Sequence, residues 1–163
     1  MFTKGEAVVY PMHGAGIIED FEEKNVDGIN RNYYVLRLPL GNLKILLCES
    51  SIHNINLRKV MNEREIAQVM QDAASLSHPV KLDNWSQRYK DNMDKIKTGE
   101  LSETAAVLYE LHNREKQKSL SGAEKKVLTT AKKIVLSEIM LSFNVDKTLA
   151  EEILESYVAK AIV

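Results

Sequence analysis

The chain has 163 residues, 44% of them hydrophobic and 28% charged, which suits one large or two small folded domains and excludes a disordered polymer. No run approaches the ~20 consecutive apolar residues that a membrane-spanning helix needs, and the opening MFTKGEAVVYP lacks the basic-then-apolar layout of a secretion signal, so a cytoplasmic protein is expected. The net charge of -1 hides an uneven distribution, because residues 1–60 hold 7 basic and 7 acidic side chains whereas residues 81–133 hold 12 basic against 8 acidic. Such an excess is compatible with nucleic acid and equally with the solvated faces of charge-rich helices.

In chain order, the first part reads as short strands punctuated by turns. EAVVY stops at Pro11, HGAGIIEDFEE at Asp27-Gly28, NYYVLRL at Pro39, and LKILLC follows the turn Pro-Leu-Gly-Asn. Tyr34, Leu36 and Leu38 alternate with Tyr33, Val35 and Arg37 as in a half-buried strand, Asp27-Gly28 supplies the positive φ of a tight hairpin, and Gly14 and Gly16 mark a bend. A small β-barrel or curled sheet is expected over residues 1–60. With so little core of its own, such a module is suited to lending an exposed strand edge to another protein. Cys48, the single cysteine, sits in the apolar run and is expected to pack as a small hydrophobe.

From residue 62 the period becomes helical. Asn62 and Glu65 form a capping-box pair at the head of a helix that Pro79 must end, which makes 61–80 a helix and linker, although a helical domain beginning near 60 fits as well. Asn84 opens the next helix, to about Lys97 before Thr98-Gly99. Ser102 is expected to cap another to about Lys118, Ser121 with Glu124 forms a full capping box, and Asp146 caps a last helix to about Ala159. Leu128, Ala131, Val135, Ile139 and Phe143 recur at helical spacing, so residues 81–163 should form an all-α bundle and the whole an α+β chain of two modules.

Catalytic signatures are absent from the sequence: no phosphate-binding glycine loop, no HExxH and no GxSxG occurs, and the four histidines are scattered. No enzyme activity, cofactor, metal or small-molecule substrate is therefore expected. The one tryptophan, Trp85, shares a helical stripe with Tyr89, Met93 and Ile96, which is the pattern of an ordinary core face. Its place in the first turn, with Arg88 and Lys90 within a turn, is also the chemistry of an apolar wedge beside cations at DNA. Lys125, Lys132 and Lys133 continue a basic stripe that would position a protein on phosphates without reading bases.

The strings KGEAVVYPMHGAGII, NYYVLRL, NWSQRYKDNMDKIKTGE and LSGAEKKVLTTAKKIVLSEI, in that order, resemble the CarD family of bacterial transcription regulators, including its CdnL branch. The resemblance implies a Tudor-like N-terminal domain that binds the β subunit of RNA polymerase and a helical domain that contacts promoter DNA at the upstream edge of the melted region. It implies a minor-groove wedge at Trp85, and DNA-facing cations at Arg88, Lys90 and Lys125, with Lys132 on the same stripe. It places polymerase contacts at Lys24, Val26 and the LKILLC segment, including Lys44 and Leu46, although Leu46 falls where some members carry arginine and Cys48 where many carry proline. The competing expectations are a protein-interaction adaptor whose helical half binds another protein, and an RNA-binding barrel-plus-bundle protein.

Overall fold

The computed structural model describes residues 1–76 and 84–160. Five strands, β1 (Ala7–Tyr10), β2 (Gly14–Val26), β3 (Ile29–Leu38), β4 (Leu43–Cys48) and β5 (Arg58–Lys59), are followed by helices α1 (Glu63–Leu76), α2 (Trp85–Lys97), α3 (Leu101–Gln117), α4 (Gly122–Phe143) and α5 (Lys147–Lys160). The expected break at Pro79 lies outside the described residues.

All strand pairs are antiparallel in the order β4-β3-β2-β1-β5, so the sheet is open, with β4 and β5 as its two edges. Its long hairpin turns at Asp27 (φ 52) and Gly28 (φ 80), the positive-φ pair that a two-residue connection requires. One face buries Val8, Ile18, Tyr34, Leu36 and Leu47 together. Strict alternation fails at Val35, which is only 3% exposed although it points away from that cluster. The opposite face is covered in part: Val9 and Ala15 on the same side of the pleat are buried, and α4 lies against β2 there. Cys48 likewise departs from expectation, since it falls opposite Tyr33, is only half-buried, and brings Sγ within 3.1 Å of Ser50 Oγ.

The helices share one core. Ile66, Met70 and Ala73 of α1 pack with Leu108, Leu111, Val135 and Ile139, so α1 belongs to the helical body instead of standing apart as a connector. Asn62 and Glu65 exchange hydrogen bonds of 2.9 Å each, and Ser121 and Glu124 form the reciprocal box at α4. Helix α3 starts at Leu101, not after Ser102; Glu100 is its cap residue and makes no side-chain capping bond. The buried Leu101 decides that boundary, because its side chain joins the core and draws the first turn in with it.

The two halves meet through a polar lock. Glu138 of α4, fully buried, receives Arg58 Nη1 and Nη2 at 2.7 Å each and the backbone N–H of Met61 at 3.0 Å, while Arg58 Nε donates to the carbonyl of Gly99 at 2.8 Å. Nearby, Ala15 N–H donates to Ser137 Oγ at 2.8 Å, and a Cβ at Gly14 would lie 2.5 Å from that oxygen. Gly14, at φ +98, is thus needed for close approach of α4 as well as for its backbone angle, where the sequence suggested a bend. Gly14→Ala should therefore lower stability by more than the ~1 kcal/mol typical of a backbone effect alone, as read by urea denaturation. An unchanged midpoint would show that the halves part without cost.

Candidate nucleic-acid interface

Helix α2 begins where Asn84 Oδ1 accepts the N–H groups of Ser86 (3.1 Å) and Gln87 (3.4 Å). Those donors are consumed by the cap, so the helix end does not offer them to a phosphate as its position alone suggested. The stripe expected from spacing descends from surface to core: Trp85 is 55% exposed, Tyr89 36%, Met93 half-buried and Ile96 fully buried. The indole therefore stands out from the bundle where the stripe runs out.

Arg88 is placed differently from the free cation that its position suggested. It is 5% exposed and ion-paired with Glu124, which is itself buried. Glu124 also accepts from the N–H of Ser121 (3.4 Å) and its hydroxyl (3.3 Å), so one carboxylate both caps α4 and binds α2. The pair ties the first turn of α2 to the first turn of α4, bringing Trp85, three residues before Arg88, and Lys125, one residue after Glu124, to the same end of the bundle. Lys90 and Lys125 are exposed there. Lys132 is exposed too, two turns further along α4, where it lines a groove toward α5.

The electrostatics of this end predict a pH dependence. Burial alone would push the Glu124 carboxyl up, but the bonds from Arg88 and Ser121 outweigh it and hold the pKa below the usual carboxylate range. A depressed folded pKa contributes stability above the unfolded value, near ~4.3, that is lost as pH falls through the folded value. Glu110 on α3 runs the opposite way, because burial raises its pKa against the pull of Lys95, Arg88 and Arg114. Its charged form is then disfavoured in the fold, and stability falls as pH rises through that window. Glu110→Gln should accordingly be more stable than wild type at pH ~7 and not at pH ~4. Urea midpoints at the two pH values test this, and an equal change at both would assign the effect to packing.

In the sheet, β4 pairs only with β3, leaving its outer edge unpaired among the described residues. Leu46 (42%) and Lys44 are exposed on it; Lys44 Nζ lies 3.3 Å from Glu19, which also holds Arg37 at 2.8 Å. Lys24 and Val26 (37% exposed) sit further out, near the hairpin tip. Lys24 pairs with Arg31 and Leu46 with Val35, so the two groups are four β3 residues, or roughly 13 Å, apart along the sheet. Leu43 (51%), within the LKILLC segment, is exposed as well. Sequence reading missed Ile29 (56%), which pairs with Val26 and extends the exposed apolar surface at the hairpin tip, and Phe21 (48%), which lies on the opposite face against Tyr34. The outward half of the strand alternation could have indicated Ile29, which pairs with Val26 on the face away from Tyr34 and Leu36.

The described residues thus form an open antiparallel sheet, with the outer edge of β4 unpaired among them, locked to a helical body that exposes a tryptophan. Residues 2–61 match the CarD-like/TRCF RID domain and residues 65–155 the CarD C-terminal domain. The chain is also 40% identical, over 85% of its length and 90% of the other's, to a Bacillus subtilis (strain 168) protein named "Putative transcription factor YdeB". The chain belongs to the CarD-like family of transcription factors. Among the described residues, no helix is long and apolar enough to cross a membrane, and no three His, Cys, Asp or Glu side chains group as a metal site.

Proposed function

We propose that the protein is a non-enzymatic regulator that docks its sheet on the β subunit of RNA polymerase and applies its helical body to promoter DNA at the upstream edge of the melted region, altering open-complex stability. The observation that carries this reading is the exposed Trp85 at the same end of the bundle as the exposed Lys90 and Lys125, on a body joined firmly to the sheet. A wedge acts only if something rigid holds it, and the Arg58–Glu138 lock supplies that connection. Docking is assigned to the β4 edge, where backbone pairing with a partner strand supplies affinity and Lys44 and Leu46 supply specificity. Lys24 and Val26 at the hairpin tip form its outer margin.

Arg88 takes a positioning role in this reading, since it sets α2 against α4 and leaves phosphate contact to Lys90 and Lys125. DNA binding should then be weak and largely independent of sequence, with a slope of log K against log salt of roughly -2 for two phosphate contacts at about -0.9 each. Lys125→Glu in the full chain should reduce the slope by about one. Fluorescence anisotropy with duplex and forked DNA across a salt series measures it, and a slope near zero would return the basic excess to a solvated face. Polymerase docking is tested apart from this, by co-purification of Leu46→Glu protein with polymerase, which should fail while DNA binding stays intact. Undiminished co-purification would move docking off β4.

A further inference from the structure

A groove of about 630 Å³ runs between α3, α4 and α5, and Trp85 is not part of its lining. Its floor is aliphatic, built from Leu108, Leu136, Leu154 and Val158, and its rim carries His112, Lys116, Lys132 and Lys133. Size and lining match a small-molecule site, in which an apolar bed holds the body of a ligand and a few convergent polar groups orient its head. A DNA surface has no use for such a floor.

Charge selects the head group. Lys147 and Glu151, both in the wall, pair with each other at 3.8 Å and cancel. Lys116, Lys132 and Lys133 make no salt bridge to a carboxylate among the described residues, and Glu155 is the one remaining acid of the lining, so the rim holds an excess of two positive charges. A phosphate monoester carries about -1.5 to -2 at neutral pH and matches that excess, whereas a carboxylate supplies only one charge. Half-buried among these groups, His112 has its pKa lowered by burial and then by Lys116 and Lys132, against the opposite pull of Glu115, so the imidazole reports any anion that settles beside it.

We propose that the α3–α4–α5 groove binds a small amphiphilic phosphate monoester, its aliphatic body on Leu108, Leu136, Leu154 and Val158 and its phosphate among Lys116, Lys132 and Lys133. The site is independent of the polymerase and DNA reading and stands or falls separately from it.

The test is an NMR titration of the full chain with octyl phosphate below its micelle concentration, beside octanoate, inorganic phosphate and a short DNA duplex. Octyl phosphate should saturate, shift the resonances of Leu108, Leu154 and His112, and raise the pKa of His112, since a neighbouring anion favours imidazolium. Octanoate should bind about tenfold more weakly and inorganic phosphate weaker still, because each lacks one of the two recognised parts. Lys132→Ala and Lys116→Ala, both at exposed positions that the fold does not need, should each weaken octyl phosphate by about tenfold. Inorganic phosphate binding as tightly as octyl phosphate would reduce the site to a basic patch. Displacement of octyl phosphate by the duplex would assign the rim to DNA, and the absence of any saturable shift would overturn the site altogether.

Discussion

Glu138→Ala is expected to lower the free energy of unfolding by about 3–5 kcal/mol, the range for removing one partner of a buried ion pair. The carboxylate is completely enclosed, accepts both terminal nitrogens of Arg58 and also holds the Met61 N–H. Truncation therefore leaves a guanidinium, only partly reached by water, and a backbone donor without their acceptor. Arg58→Ala should approach the same loss, since it abandons the carboxylate. The double substitution Arg58→Met with Glu138→Leu should recover most of it, because apolar residues of similar volume often replace a buried pair at little cost. What the double variant should not recover is the fixed relation between sheet and helical body, because Arg58 also reaches Gly99 and the pair holds β5 and the start of α1 against α4. In promoter assays it should bind polymerase and DNA and yet lose most of its effect on open complexes. Denaturant unfolding of the three variants, followed by open-complex lifetimes, decides the matter. A loss below ~1 kcal/mol for Glu138→Ala would show that the lock is dispensable.

Trp85→Ala should do the reverse, leaving stability nearly intact while removing most of the effect on promoter opening. A buried tryptophan costs about 3–5 kcal/mol on truncation, through lost transfer energy and the cavity left behind. At 55% exposure and about two turns before its stripe enters the core at Met93, Trp85 leaves little cavity. If the ring stacks against unpaired bases at the melted edge, its loss should weaken the open complex by about 1–3 kcal/mol, or roughly 5- to 150-fold in stability. Phenylalanine should restore part of this, having an aromatic face of smaller area and no N–H. Thermal melting and open-complex lifetimes separate the possibilities. A melting temperature that collapses, or a lifetime that does not move with polymerase still bound, would end the wedge reading.

Most element boundaries were legible because local chemistry sets them. Asn62 with Glu65, Asn84, Ser121 with Glu124, and Asp146 each satisfy N–H groups within their own first turn, a matter of side-chain reach over three residues that needs no distant partner. Asp27-Gly28 specified its hairpin for a similar reason, since few residue pairs accept positive φ twice in succession. The start of α3 was misplaced where a serine offered a cap and the burial of Leu101 prevailed over it. Val35 was misread because alternation assumes that one face of a sheet meets water, which fails where part of that face is covered.

Periodicity placed Trp85, Tyr89, Met93 and Ile96 on one stripe, but a stripe has no depth until another helix is laid against part of it. Arg88 shows the same limit for charge. Its identity, spacing and helix were readable, whereas its partner lies 36 residues away, and only the approach of α2 to α4 turned a surface cation into a buried strut. Glu138, 80 residues from Arg58, carried no local signal, because a carboxylate within an apolar helix face is ambiguous until its counter-ion is known. Short-range hydrogen bonding and side-chain period thus settled the elements, their caps, their faces and the two-part α+β plan. Which cations remained free, which tryptophan face met solvent and how the two halves were locked depended on contacts between distant residues, whose energies exist only once packing has excluded water between them.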